Sequence, residues 1–194
     1  MEAALDYLAP RIIGGRATWK VINFGSKSKL LTKLPARLRG YRNRVQADEI
    51  RLLVLLDRDR DDCRALKQRL EGAATAAGLA TKSRPDQNGT FRVVNRVVIE
   101  ELEAWFIGDP GALCQAFPRV PATFHQRTTY RRPDNISDAW EALVRLLHKS
   151  SYRNERFSKI DTARRVAAVM TPEHNLLPSF GQFSSGLRAL VAAD

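Results

Sequence analysis

The run Leu52-Leu-Val-Leu-Leu56, followed at once by Asp57-Arg-Asp59-Arg-Asp61-Asp62, restricts this chain more than any other stretch. Five apolar residues are far too few to cross a membrane, and they do not alternate as a strand with one wet face would. They predict a strand buried on both faces, as in a parallel sheet. The abrupt change to charge marks the end of that strand. In open parallel α/β sheets, ligands sit outside the carboxyl ends of the strands.

The surrounding sequence supplies the rest of such a fold. Ala4, Leu5, Leu8 and Ile12 have helical spacing over Met1–Ile13, which Gly14-Gly15 ends. Trp19–Phe24 reads as a short strand, apolar on both faces and therefore central, closed by Gly25. Leu31, Leu34, Leu38, Tyr41 and Val45 share a helical face, with Pro35 expected in the first turn or at a kink. A helix over Asp62–Ala77 with Gly78 behind it, and a strand over Phe91–Ile99, complete an alternating order. The fold class expected is α/β, a parallel sheet flanked by helices. From Glu101 onward only helical patterns follow, at 101–107, 111–117, 137–149, 162–170 and 184–192. This divides the chain into an α/β domain over 1–108 and a C-terminal helical extension over 109–194 packed on it.

With 194 residues, 44% hydrophobic and 27% charged, the chain can bury a core, which excludes global disorder. Its 32 Lys+Arg against 21 Asp+Glu give a net charge of +11, a surface that attracts polyanions. The basic residues cluster twice. Lys27, Lys29, Lys33, Arg37, Arg42 and Arg44 fall in a stretch without acids, and Arg127, Arg131 and Arg132 lie in a proline-punctuated loop. Both are candidate contacts to nucleic-acid phosphates. Cys63 and Cys114, with no signal peptide before them, point to buried thiols in a reducing cytoplasm.

Asp57 and Asp59, one residue apart where a strand unwinds, can turn toward one hard cation, and carboxylates suit Mg²⁺ or Mn²⁺. A metal so held polarises phosphoryl oxygens. The same residue types also form turns and caps, and Asp61 and Asp62 are read mainly as caps of the next helix. Glu101 and Glu103 follow the next strand, so neighbouring strand ends would carry them toward Asp57; glutamates also complement the first turn of a helix. Trp105 and Phe106 read as core. His125, His148 and His174 have no metal spacing and are given no role.

The run Leu52–Cys63 with Leu66-Lys67 resembles the Asp-x-Asp strand end of Toprim domains. Together with Glu101–Asp109 and Pro178–Phe183, it is more closely similar to a bacterial Toprim-like domain-of-unknown-function family, related to the Toprim domains of overcoming-lysogenization-type nucleases. The resemblance implies a Toprim-like fold and a Mg²⁺- or Mn²⁺-dependent nuclease or nuclease subunit, with DNA ranked ahead of RNA. It also implies an ABC- or SMC-like ATPase partner in an anti-phage system. By position, Asp57, Asp59 and Glu103 become catalytic residues, and the same three with Glu101 become metal ligands. Toprim domains open on a strand ending in a glutamate, which has no counterpart ahead of the helix at Met1, since Glu2 resembles the acid that starts the family's first helix. The resemblance therefore leaves two expectations, a natural protein that starts upstream or a member with an incomplete site. The second makes a non-catalytic adaptor for nucleic acid or the ATPase the alternative function.

Overall fold

The computed structural model describes residues 1–153 and 155–192. Among these described residues, eight α-helices and two strands follow the order α1 (Glu2–Ile13), α2 (Lys27–Gln46), β1 (Leu52–Asp57), α3 (Cys63–Ala76), β2 (Val93–Val98), α4 (Glu103–Ile107), α5 (Pro110–Ala116), α6 (Ala139–Lys149), α7 (Lys159–Ala167) and α8 (Pro178–Ala192). The architecture is α/β, with β1 and β2 paired in parallel from Leu52 opposite Val93 to Asp57 opposite Val98.

Local chemistry sets the element ends. At the close of α1, Gly14 adopts a left-handed φ of 63°, and its N–H reaches the Pro10 carbonyl at 2.9 Å. Ser26 Oγ caps α2 by accepting from Lys29 N–H at 3.2 Å. Asp62 caps α3, accepting from Ala65 N–H at 2.6 Å, as its position predicts. Asp61 takes no part in that cap; its carboxylate pairs with Lys27 instead. Pro35 does not lie in the first turn, because α2 starts eight residues earlier and runs through it. The proline leaves the Leu31 carbonyl without its helical donor.

The two strands are sandwiched. Val54, Leu56 and Val93 pack with Leu34 and Leu38 of α2 and Leu66 and Leu70 of α3, while Leu53, Leu55 and Val98 face α1, α8 and the other C-terminal helices. α1 joins this second layer by burying Ala4, Leu5, Leu8 and Ile12, and its Arg11 donates to three carbonyls at the end of α7, at 2.5–2.8 Å. One apolar cluster thus runs from Ala4 to Leu187. At its centre Trp105 is fully buried, its indole N–H donating to Ser179 Oγ at 3.1 Å, with the rings of Phe180 and Phe183 at 5.0 and 4.8 Å. The hydroxyl of Ser179 donates onward to Asp134 Oδ1 at 2.6 Å.

Three further expectations are corrected. Trp19–Phe24 forms no strand: Trp19 and Ile22 are exposed, and the Asn23 side chain accepts from Gly25 N–H at 2.7 Å, a local turn that competes with pairing. β1 is consequently less enclosed than its composition suggests, with Leu52, Leu53 and Leu55 half-buried. Both cysteines are free but half-buried rather than fully inside. No helix among the described residues is long and apolar enough to cross a membrane.

Candidate metal centre

Because β1 and β2 are parallel and end together, their last residues face the same end of the molecule. Pairing continues one step further, with Arg58 N–H donating to the Val98 carbonyl at 2.9 Å and Asp59 N–H to the Glu100 carbonyl at 3.1 Å. Both chains then turn sharply. Asp59 has φ 51° and Glu100 φ 60°, a left-handed conformation that aspartate tolerates better than glutamate. Glu100 is held by an ion pair with Arg58.

This geometry places Asp57 within the electrostatic field of Glu103. The Asp57 carboxyl is enclosed, and its Oδ1 is buried with no hydrogen-bond partner. Burial first, and the field of Glu103 second, push its pKa up to about 7; Asp59 and Glu101 add to the rise while the amino group of Met1 opposes it. Glu103, at the start of α4 and only 7% exposed, is also raised, chiefly by burial, with Lys159 pulling it back. Two carboxyls each raised chiefly by burial, Asp57 also by the field of Glu103, form a pocket of unsatisfied negative potential, which a cation relieves.

The other acids are engaged elsewhere. Asp59 and Asp61 both grip the Lys27 ammonium, at 2.6 and 2.7 Å, and that ammonium also donates to the Arg58 carbonyl at 2.9 Å. Burial works against the charge of Lys27, but these hydrogen bonds outweigh it and raise its pKa. Glu101 accepts from Lys159 Nζ at 2.8 Å and from Trp140 N–H at 3.0 Å. Among the described residues, no three or more His, Cys, Asp or Glu side chains are grouped to hold a metal. Two carboxylates nevertheless fit Mg²⁺, which keeps several waters and takes one or two protein carboxylates. The orphaned oxygen of Asp57 is the observation that fits it here.

The stretches that carried the family resemblance converge on this centre. Asp57 ends β1, Glu103 and Trp105 lie in α4, and the Pro178–Phe183 segment packs its rings on Trp105. Asp109, the last residue of the second stretch, is buried and caps α5 through Ala112 N–H at 2.9 Å. The model of the family described as Domain of unknown function (DUF4276) matches residues 1–188. The chain belongs to this family. Among curated proteins and among solved structures, none matches it.

In this DUF4276 chain the basic residues singled out above fall on α2 and on the loop before α6. Lys29, Lys33 and Arg37 recur every four residues on α2 and share one exposed stripe. Arg37 lies 5.3 Å from the Tyr41 ring centroid, Arg44 pairs with Glu49 at 3.0 Å, and Arg42 lies against Gly78. Lys27, by contrast, is turned into the acidic loop. Arg127, Arg131 and Arg132 are exposed in the loop before α6, with no side-chain ion pair among the described residues. Two lysines are more involved than sequence reasoning allowed. Lys159 reaches Glu101 across 58 positions, and Lys67 holds the buried Glu71 at 2.7 Å while donating to the Asn95 carbonyl at 2.6 Å. Only the i,i+4 spacing of Lys67 and Glu71 offered a local signal for either.

Proposed function

We propose that this chain is a Toprim-like, divalent-metal-dependent nuclease, or the nuclease subunit of a larger assembly, acting on nucleic acid. The observation that supports this reading most is the enclosed Asp57–Glu103 pair at the carboxyl end of the parallel strands, with one Asp57 oxygen lacking any partner. Asp57 and Glu103 would hold Mg²⁺ or Mn²⁺, which when bound supplies Lewis-acid polarisation of a phosphoryl oxygen. The protein's own part is to exclude water around these carboxyls, to balance Glu101 with Lys159, and to hold polyanionic substrate on the α2 stripe. The resemblance further supports an ABC- or SMC-like ATPase as partner in an anti-phage system.

The decisive experiment is cleavage of supercoiled plasmid, single-stranded DNA and RNA with Mg²⁺ or Mn²⁺, beside an Asp57→Asn, Glu103→Gln double variant. Cleavage that needs metal and is lost in the variant is expected. Equal cleavage by both proteins would refute the assignment. A second reading, a non-catalytic adaptor, is favoured by the engagement of Asp59 with Lys27 rather than with Asp57. No cleavage by either protein, with salt-sensitive binding by both, would establish that reading.

Electrostatic binding also fixes a salt dependence. Replacing Lys29, Lys33 and Arg37 together by Gln should weaken duplex DNA binding and lower the log–log salt slope by up to about 3, since each neutralised phosphate contributes roughly 0.9. Anisotropy titrations at several salt concentrations measure this. An unchanged slope would remove α2 from the interface.

A further inference from the structure

A second cavity lies at the far end of α4 from the carboxyl pair, between the loop before α6 and the turn leading into α8. Its volume is about 600 Å³, within the range of sites for small organic ligands. Its wall is chemically divided. Ile107, Leu177 and Pro178 supply an apolar side, and Leu176 stands 76% exposed at the rim. Arg131 and Arg132 supply a cationic side. The one carboxylate in the wall, Asp134, is already committed, accepting from Ser179 N–H at 3.2 Å and Ser179 O–H at 2.6 Å. His125 also lines the cavity, and its Nδ1 is buried with no hydrogen-bond partner. Its ring stands perpendicular to that of Phe124, and a buried ring nitrogen without a partner is a group that a ligand could satisfy.

We propose that this cavity binds a nucleoside phosphate, as a free mononucleotide or as the phosphorylated end of a strand. The two adjacent guanidiniums suit the phosphate oxygens, which they can grip by charge-assisted hydrogen bonds. The apolar side takes the base, and His125 Nδ1 with the amides of Gln126 and Asn135 offers hydrogen-bonding groups to its edge or to the sugar. The choice of a nucleoside phosphate over other amphipathic anions rests on the nucleic-acid reading above. Position favours it as well: the cavity wall includes Ile107 and Gly108, and Glu103 begins the same five-residue helix, about 7 Å of helical rise away. The turn is firmly built, with Asn175 Nδ2 donating to the Trp105 carbonyl at 2.7 Å and Leu176 N–H to the Gly108 carbonyl at 3.0 Å.

The test uses the full chain with chelator present, so that it is independent of any metal at Asp57 and Glu103. Calorimetry with AMP, UMP and inorganic phosphate is set beside competition by short single strands phosphorylated at the 5′ end, the 3′ end or neither. Expected are saturable binding of the mononucleotide or a phosphorylated strand, inorganic phosphate at least about tenfold weaker, and a loss of about tenfold or more in Arg131→Ala, Arg132→Ala. Leu176→Ala, at an exposed position that leaves the charges unchanged, should weaken the nucleotide but not inorganic phosphate. Preference for the mononucleotide or for a strand end identifies the source, and either supports the site. Equal affinity for phosphate and nucleotide, tighter binding of an acidic peptide, or no difference between phosphorylated and unphosphorylated strands together with no mononucleotide binding would overturn it. Metal-dependent cleavage that persists after such a failure leaves the proposed nuclease standing without this cavity.

Discussion

Asp57→Asn is expected to stabilise the metal-free protein, increasingly so as the pH rises. The folded state holds the Asp57 proton up to about pH 7, whereas the unfolded chain releases it near the ordinary value of 3.8. Between those values the folded protein binds more protons than the unfolded chain, so wild-type stability falls as pH rises through that window. Above it the full penalty stands, about 4 kcal/mol at 1.36 kcal/mol per pH unit. The neutral amide removes the penalty. Melting curves at about pH 5 and pH 8 should show a variant advantage that grows toward the higher pH, to roughly 10 °C for a chain of this size. Mg²⁺ should close the gap by stabilising the wild type alone. Identical melting of the two proteins at both pH values would mean that Asp57 is not an enclosed, strained acid.

Trp105→Ala is the second large effect. The indole is fully buried against Phe180 and Phe183, and its N–H is one link in the chain Trp105–Ser179–Asp134 that ties α4 to α8 and to the loop before α6. Removing it leaves a cavity and takes from the Ser179 hydroxyl the hydrogen bond it accepts, a loss of about 3–5 kcal/mol in urea denaturation. Because α4 also carries Glu103, the same substitution should weaken metal binding at temperatures where the protein is still folded. Trp105→Phe keeps most of the volume and should lose less than half as much. A loss under about 1 kcal/mol for the alanine variant would show that the Glu101–Asp109 and Pro178–Phe183 stretches are not joined through this ring.

Much of this architecture is written locally. The periodicity of α1, α2 and α6, the Asp62 cap and the glycine after α3 are interactions within a few residues, so sequence alone reveals them. The two acidic strand ends were legible for a related reason, since parallel neighbours connected through α3 end on the same side. Trp19–Phe24 misled because alternation says only that side chains point both ways; a strand also needs a partner, and the Asn23 turn offers the backbone something else. The side-chain pairing inside the acidic loop was hidden for another reason. Lys27 reaches the Arg58 carbonyl across 31 positions and Lys159 reaches Glu101 across 58, and nothing local distinguishes either from a solvated surface lysine.

The central claim is that Asp57 and Glu103 form a divalent-cation site, and Mn²⁺ titration followed by electron paramagnetic resonance tests it most directly. At about pH 8 the wild type should take up Mn²⁺ at one saturable site, displaceable by Mg²⁺, and the Asp57→Asn, Glu103→Gln double variant should show none. Weaker uptake near pH 6 should follow from proton competition at Asp57. The account is contradicted if the double variant binds Mn²⁺ as tightly as the wild type, or if the wild type binds none.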